Sequence, residues 1–108
     1  MTAALRSSDG RPEISAEVNG RQELVVDSGA SALILFEPSP LMGRAAAVTN
    51  SGSVEAVTGS ARVTFGGAYT RLMTTAQVSA SPRPGLLPAA AFGSVYISNR
   101  DGIVVLVP

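Results

Sequence analysis

The sequence predicts an all-β domain, a small closed barrel or sandwich with one short helix near its C-terminus. Three observations carry this. Short runs of strand length either alternate apolar with polar residues or are wholly apolar, as in Glu13–Val18 and Leu33–Phe36. Clusters of Gly, Pro, Asn, Asp and Ser separate these runs at short intervals. Only Ala89-Ala90-Ala91-Phe92 has good helix-forming composition. Many short strands with little helix read as a barrel or sandwich. At 108 residues the chain is one domain with a thin core, and its 45% hydrophobic content favours further burial by association.

Taken in order, residues 1–12 are polar around Ser7-Ser8-Asp9-Gly10 and read as a tail or first turn, or as an edge strand in a dimer. Glu13–Val18 alternates with the period of a half-buried strand. Asn19-Gly20 is a strong hairpin signal, because a type I′ turn needs positive φ at both central residues. Arg21–Val26 returns as the second strand. Leu33–Phe36 is a buried-type strand, and Glu37-Pro38-Ser39-Pro40 stops it because proline cannot donate to a ladder.

Leu41–Ala47 fits either a short turn of helix or a covering loop. Next come residues 48–57, rich in Ser, Thr, Gly and Asn, followed by Thr58-Gly59-Ser60 and the alternating run Ala61–Phe65. A hairpin over about residues 49–65, with a small tip at Thr58-Gly59-Ser60 that could move, is expected there; composition alone favours an ordinary surface hairpin. Gly66-Gly67 turns the chain into a strand over Ala68–Val78. Residues 79–84 form a Ser/Pro loop, and Gly85-Leu86-Leu87-Pro88 is a compact apolar step leading to the helix, which Gly93 ends. Val95–Ile97 and Ile103–Val107 are strands joined by a turn at Asn99-Arg100-Asp101-Gly102.

Composition narrows the chemistry. Eight arginines balance eight acidic residues, with no basic cluster and no stacking series among five aromatics, so nucleic acid is not an expected partner. The absence of Cys and His removes Cys-His and Ser-His-Asp mechanisms and the usual zinc and haem sites; no metal or other cofactor is expected. A carboxylate-held metal is also disfavoured, because the acids are scattered. No run is long enough to span a membrane, and the first residues lack the apolar core of a signal peptide. The compartment stays open. For hydrolysis, what remains is carboxylate chemistry.

Asp27-Ser28-Gly29-Ala30 is where such chemistry fits. Leu24-Val25-Val26 enters it and Leu33-Ile34-Leu35 leaves it, so an Asp is delivered at the end of an apolar strand. A carboxylate there is costly to bury without hydrogen bonds or a second group to compensate. Gly29 allows both a turn and the close approach of another group. Asp, Ser and Gly also make ordinary turns, but turns between antiparallel strands usually face water, and here both flanks are apolar.

This loop resembles the active-site loop of the aspartic proteases, and the chain as a whole is similar to the retropepsin type, particularly its bacterial single-domain members. The hairpin over about residues 49–65 stands where that family carries its flap, and Gly85–Pro88 with the helix and Tyr96 resembles the second apolar step and helix of that fold. Three departures stand out: Ser28 replaces the commoner Thr, Pro88 stands where Gly is more frequent, and the flap lacks a long glycine run.

The resemblance implies an aspartic endopeptidase acting on a peptide or protein substrate, with Asp27 catalytic. Of the three aspartates, Asp9, Asp27 and Asp101, only Asp27 has this context. The chemistry needs two carboxylates sharing a proton, so the chain is expected to be half of an active homodimer, one Asp27 from each copy meeting on a two-fold axis. Ser28 and Gly29 would lock the two loops together. Ala30, Ser31, Ile34 and Leu87 would line the cleft, under a flap carrying Val57, Thr58 and Gly59. Glu23 and Glu37 read as solvated strand ends, and Tyr96 as a core or interface aromatic. The rivals are a retropepsin-like domain that binds or dimerises without hydrolysis, and a structural β-domain whose Asp27 merely sits in an exposed turn.

Overall fold

The computed structural model describes residues 2–8, 11–36, 40–48, 55–66, 69–78 and 83–108. Its strands are β1 (Thr2–Ala4), β2 (Arg6–Ser8), β3 (Arg11–Glu17), β4 (Arg21–Asp27), β5 (Leu33–Leu35), β6 (Met42–Val48), β7 (Glu55–Phe65), β8 (Tyr69–Val78), β9 (Gly85–Pro88), β10 (Ser94–Ser98) and β11 (Ile103–Val107).

Six of them close a mixed barrel in the order β3-β4-β9-β5-β8-β7, sealed by the pair Glu17 and Thr64 between β7 and β3. The β4–β9 and β5–β8 pairs are parallel. β2 extends the barrel sheet beyond β3, and β6 extends it beyond β7. A separate three-stranded antiparallel sheet has the order β1-β11-β10. The polar N-terminal residues thus form edge strands within their own chain.

Alternation fixes the core. Ile14 and Ala16 of β3, Leu24 of β4, Leu33 and Leu35 of β5, Val63 and Phe65 of β7, Leu87 of β9, and Val104 and Leu106 of β11 all turn inward. Phe65 packs edge-on to Phe92 with ring centroids 5.9 Å apart. Gly85 lets β9 run between its neighbours: a Cβ there would lie 2.7 Å from the Ile34 carbonyl oxygen and 2.8 Å from Leu24 Cδ2.

The hairpin at Asn19-Gly20 forms with both residues left-handed, at φ 53° and 113°. Its register joins Glu17 to Arg21, and the Val18 N–H donates to the Gly20 carbonyl at 2.8 Å.

Several expectations are corrected. Leu41–Ala47 holds neither helix nor covering loop; β6 begins at Met42, with a bulge between Met42 and Ala45. Thr58-Gly59-Ser60 is not a hairpin tip. It lies inside β7, paired to β6 on one side and β8 on the other. The β6–β7 connection falls at residues 49–54, outside the described residues. The Glu37–Ser39 stop lies outside them as well.

The C-terminal helix is also absent. Ala89–Ala91 makes a single 3-10 turn closed by the Phe92 N–H on the Ala89 carbonyl at 3.1 Å. A run this short cannot offset the cost of nucleating an α-helix. Phe92 then turns extended, at φ −112° and ψ 151°, and drops into the core. Tyr96 is no core aromatic either: it is 63% exposed.

Candidate active site

β4 carries its apolar residues toward one end of the barrel, where Asp27 is the last residue of the strand. Leu24 and Val26 pack on the core, so Val25 and Asp27 stand on the opposite face. Asp27 is half-buried, followed by exposed Ser28 and Gly29 and half-buried Ala30. The Gly29 N–H donates to Asp27 Oδ1 at 2.7 Å, which compensates one oxygen of the carboxylate within its own loop. A Cβ on Gly29 would stand 3.3 Å from that same oxygen, so glycine keeps the loop wrapped closely around the acid.

Beside Asp27, in parallel register, lies Pro88 of β9. Proline where a glycine was the more usual expectation is accommodated at this strand end, and Pro88 is itself buried. Two residues back along β4, the registers define a row across the sheet: Val25 opposite Leu86, Leu86 opposite Ile34, Ile34 opposite Ala76, and Ala76 opposite Thr58. Paired residues share a face. This apolar row therefore lies on the Asp27 side of the sheet, with a hydroxyl at its far end.

The structure groups Asp27, Ser28, Gly29 and Ala30 in one loop and sets Ile34 and Thr58 on the same face. Ser31 is exposed just beyond the loop and borders a cavity of about 180 Å³ with Pro88 and β8. Other expected cleft residues fall elsewhere. Leu87 is 0% exposed and belongs to the core; Leu86, its neighbour, occupies the Asp27 face. Val57 packs against the core. Gly59 serves packing, since a Cβ there would lie 2.6 Å from the Met42 carbonyl oxygen. Val25, Leu86 and Ala76 went unnoticed in the sequence. The two adjacent leucines of Gly85–Pro88 signal that one must face away from the core, but not which one.

Ionic groups on this face include Glu13, the register partner of Val25, and the pair Arg21 and Glu23. The Ser15 hydroxyl lies 2.8 Å from both Glu23 carboxylate oxygens, and Arg21 Nε lies 3.5 Å from Glu23 Oε1. Glu23 is thus tied into a β3–β4 side-chain network rather than directed at Asp27. Among the described residues no group of three or more His, Cys, Asp or Glu could hold a metal ion. No described helix is long and apolar enough to cross a membrane.

One strand of the mixed six-stranded barrel thus ends in Asp27, with Ser28, Gly29 and Ala30 following it in the loop. The solved structure of a retropepsin-like aspartic protease from Rickettsia conorii superposes on the chain with a TM-score of 0.61, covering 98% of this chain and 86% of that one at 21% identity. The chain therefore has the retropepsin-like aspartic protease fold. No protein-family model and no curated protein sequence matches it.

Proposed function

We propose that this chain is one half of an aspartic endopeptidase. The observation that carries the proposal is Asp27 itself, held by the Gly29 N–H at the end of a core strand in a retropepsin-like fold. Two copies bring their Asp27 carboxylates together on a two-fold axis. Like charges that close share one proton. The ionised carboxylate takes a proton from water as its oxygen attacks the scissile carbonyl carbon. The protonated one donates to the carbonyl oxygen. The tetrahedral intermediate collapses by breaking the C–N bond, with a proton returned to the leaving amine.

Ser28 and Gly29, exposed beside Asp27, join the two loops. Val25, Leu86, Ile34 and Ala76 offer the peptide an apolar floor, Ala30 and Ser31 its near edge, and Thr58 a hydroxyl at the far side. The three-stranded sheet supports association: its outer face carries Tyr96, 63% exposed, and Val107, 45% exposed, with Val105 between them in register. Apolar side chains gathered on one exposed sheet face mark an interaction surface.

The test is cleavage of a mixed peptide library across pH ~4–7, where a shared-proton pair operates, comparing the wild type with Asp27→Asn. Cleavage by the wild type that vanishes in the variant supports the proposal. A folded dimer that cleaves nothing points to the non-hydrolytic binding domain.

A further inference from the structure

Beside the Asp27 loop, the sheet leaves a slot. β5 begins at Leu33, paired with Thr75, so the preceding residues of β8 run past Ser31 and Ala32 without a strand between them. The resulting cavity of about 180 Å³ is bordered by Ser31, Arg71, Leu72, Thr74, Pro88 and Ala91, among others. A water molecule occupies ~30 Å³ in the liquid, so the space suits a group of several atoms rather than one ordered water. Its walls adjoin the catalytic loop directly. Pro88 is the register partner of Asp27, and Ser31 follows Ala30 in the same loop.

The electrostatics of the slot are one-sided. Arg71 is its only charged border residue, and no carboxylate borders it. The Arg71 guanidinium carbon stands 5.3 Å from the centre of the Phe92 ring, which holds the plane without using its N–H donors. Among the described residues Arg71 forms no ion pair. Ser31 and Thr74 are exposed and bring hydroxyl donors to the mouth. A planar guanidinium that has no carboxylate partner among the described residues, in a slot also lined by two hydroxyl side chains, suits a carboxylate.

We infer that this slot is a specificity subsite for an acidic side chain of the peptide, with Arg71 as the residue that selects it. The inference rests on the peptidase reading above. An extended peptide advances ~3.3 Å per residue with alternate side chains on one side, so a slot adjoining the Asp27 loop takes a residue a few places from the scissile bond.

The experiment scans Glu, Gln and Lys through each position around the scissile bond of a cleaved peptide. It compares kcat/KM for the wild type, Arg71→Met and Arg71→Lys. At one position Glu should exceed Gln by about tenfold, the low end for a charge-assisted hydrogen bond. Arg71→Met should erase that preference by lowering kcat/KM for the Glu peptide about tenfold more than for the Gln peptide; Arg71→Lys, which keeps the cation, should retain part of it. Cleavage with no Glu preference at any position, or a preference that survives Arg71→Met, overturns the subsite and leaves the peptidase standing.

A second readout needs no hydrolysis. N-acetylglutamate α-amide is titrated into the 15N-labelled wild type, beside the glutamine compound. Saturable shifts at the Ser31, Ala32 and Thr74 amides with the acid alone, absent in Arg71→Met, support the subsite even if no peptide is cleaved. Equal shifts with both compounds, or none with either, overturn it.

Discussion

The backbone N–H of Gly29 donates to Oδ1 of Asp27 at 2.7 Å, and the position a Cβ would take on Gly29 is 3.3 Å from that oxygen. One glycine thus both orients the carboxylate and leaves no room for a side chain beside it. Gly29→Ala should move the acid by a few tenths of an ångström. Activity should fall at least about tenfold through lost alignment, whereas stability should change by less than ~1 kcal/mol because the loop is exposed. Peptide cleavage beside urea unfolding separates the two effects. Equal losses in both would make Gly29 a folding residue only.

Gly85 poses the opposite case. A Cβ there meets the Ile34 carbonyl oxygen at 2.7 Å and Leu24 Cδ2 at 2.8 Å, inside the barrel wall. Gly85→Ala should cost about 1–3 kcal/mol or prevent folding, as overpacked cores do. Denaturant unfolding measures it, and an unchanged midpoint would show that β9 can shift at no cost.

Glu13 sits on β3 opposite Val25, only 7% exposed, and among the described residues its Oε2 has no hydrogen-bond partner. A buried carboxylate oxygen without a partner opposes folding. Glu13→Gln should therefore raise stability at neutral pH by ~1 kcal/mol. Chemical denaturation tests this, and a clear loss of stability would show that the charge itself is needed.

The proposed interface gives a prediction independent of catalysis. Tyr96→Glu places a charge on the exposed outer face of the three-stranded sheet without entering the core. Sedimentation should show the variant as a folded monomer, inactive at concentrations where the wild type cleaves. A variant that stays dimeric would move the interface elsewhere.

Much of this architecture was legible in the chain. Alternation in Glu13–Val18 and Ala61–Phe65, positive φ at Asn19-Gly20 and the turn at Asn99–Gly102 are local properties, and they survive in the fold. The Asp27 loop was legible because an acid between two apolar strands conflicts with its surroundings. Non-local pairing hid the rest. Ala89–Ala91 looks helical until Phe92 is drawn into the core against Phe65. Thr58-Gly59-Ser60 looks like a turn until β6 and β8 pair with it on both sides. Which leucine of Gly85–Pro88 faces Asp27 depends on the register of β9 between β4 and β5, and composition does not contain it.

Mixing two forms of the protein probes the proposed two-chain active site most directly. Wild type and Asp27→Asn are exchanged to equilibrium at equal amounts and a fixed total concentration at which both are dimeric, and peptide cleavage is recorded. If each active site needs Asp27 from both copies, random pairing leaves about a quarter of the dimers competent, and activity should fall to about a quarter of the pure wild type. Activity of one half would mean that each chain works alone and would contradict the two-carboxylate site.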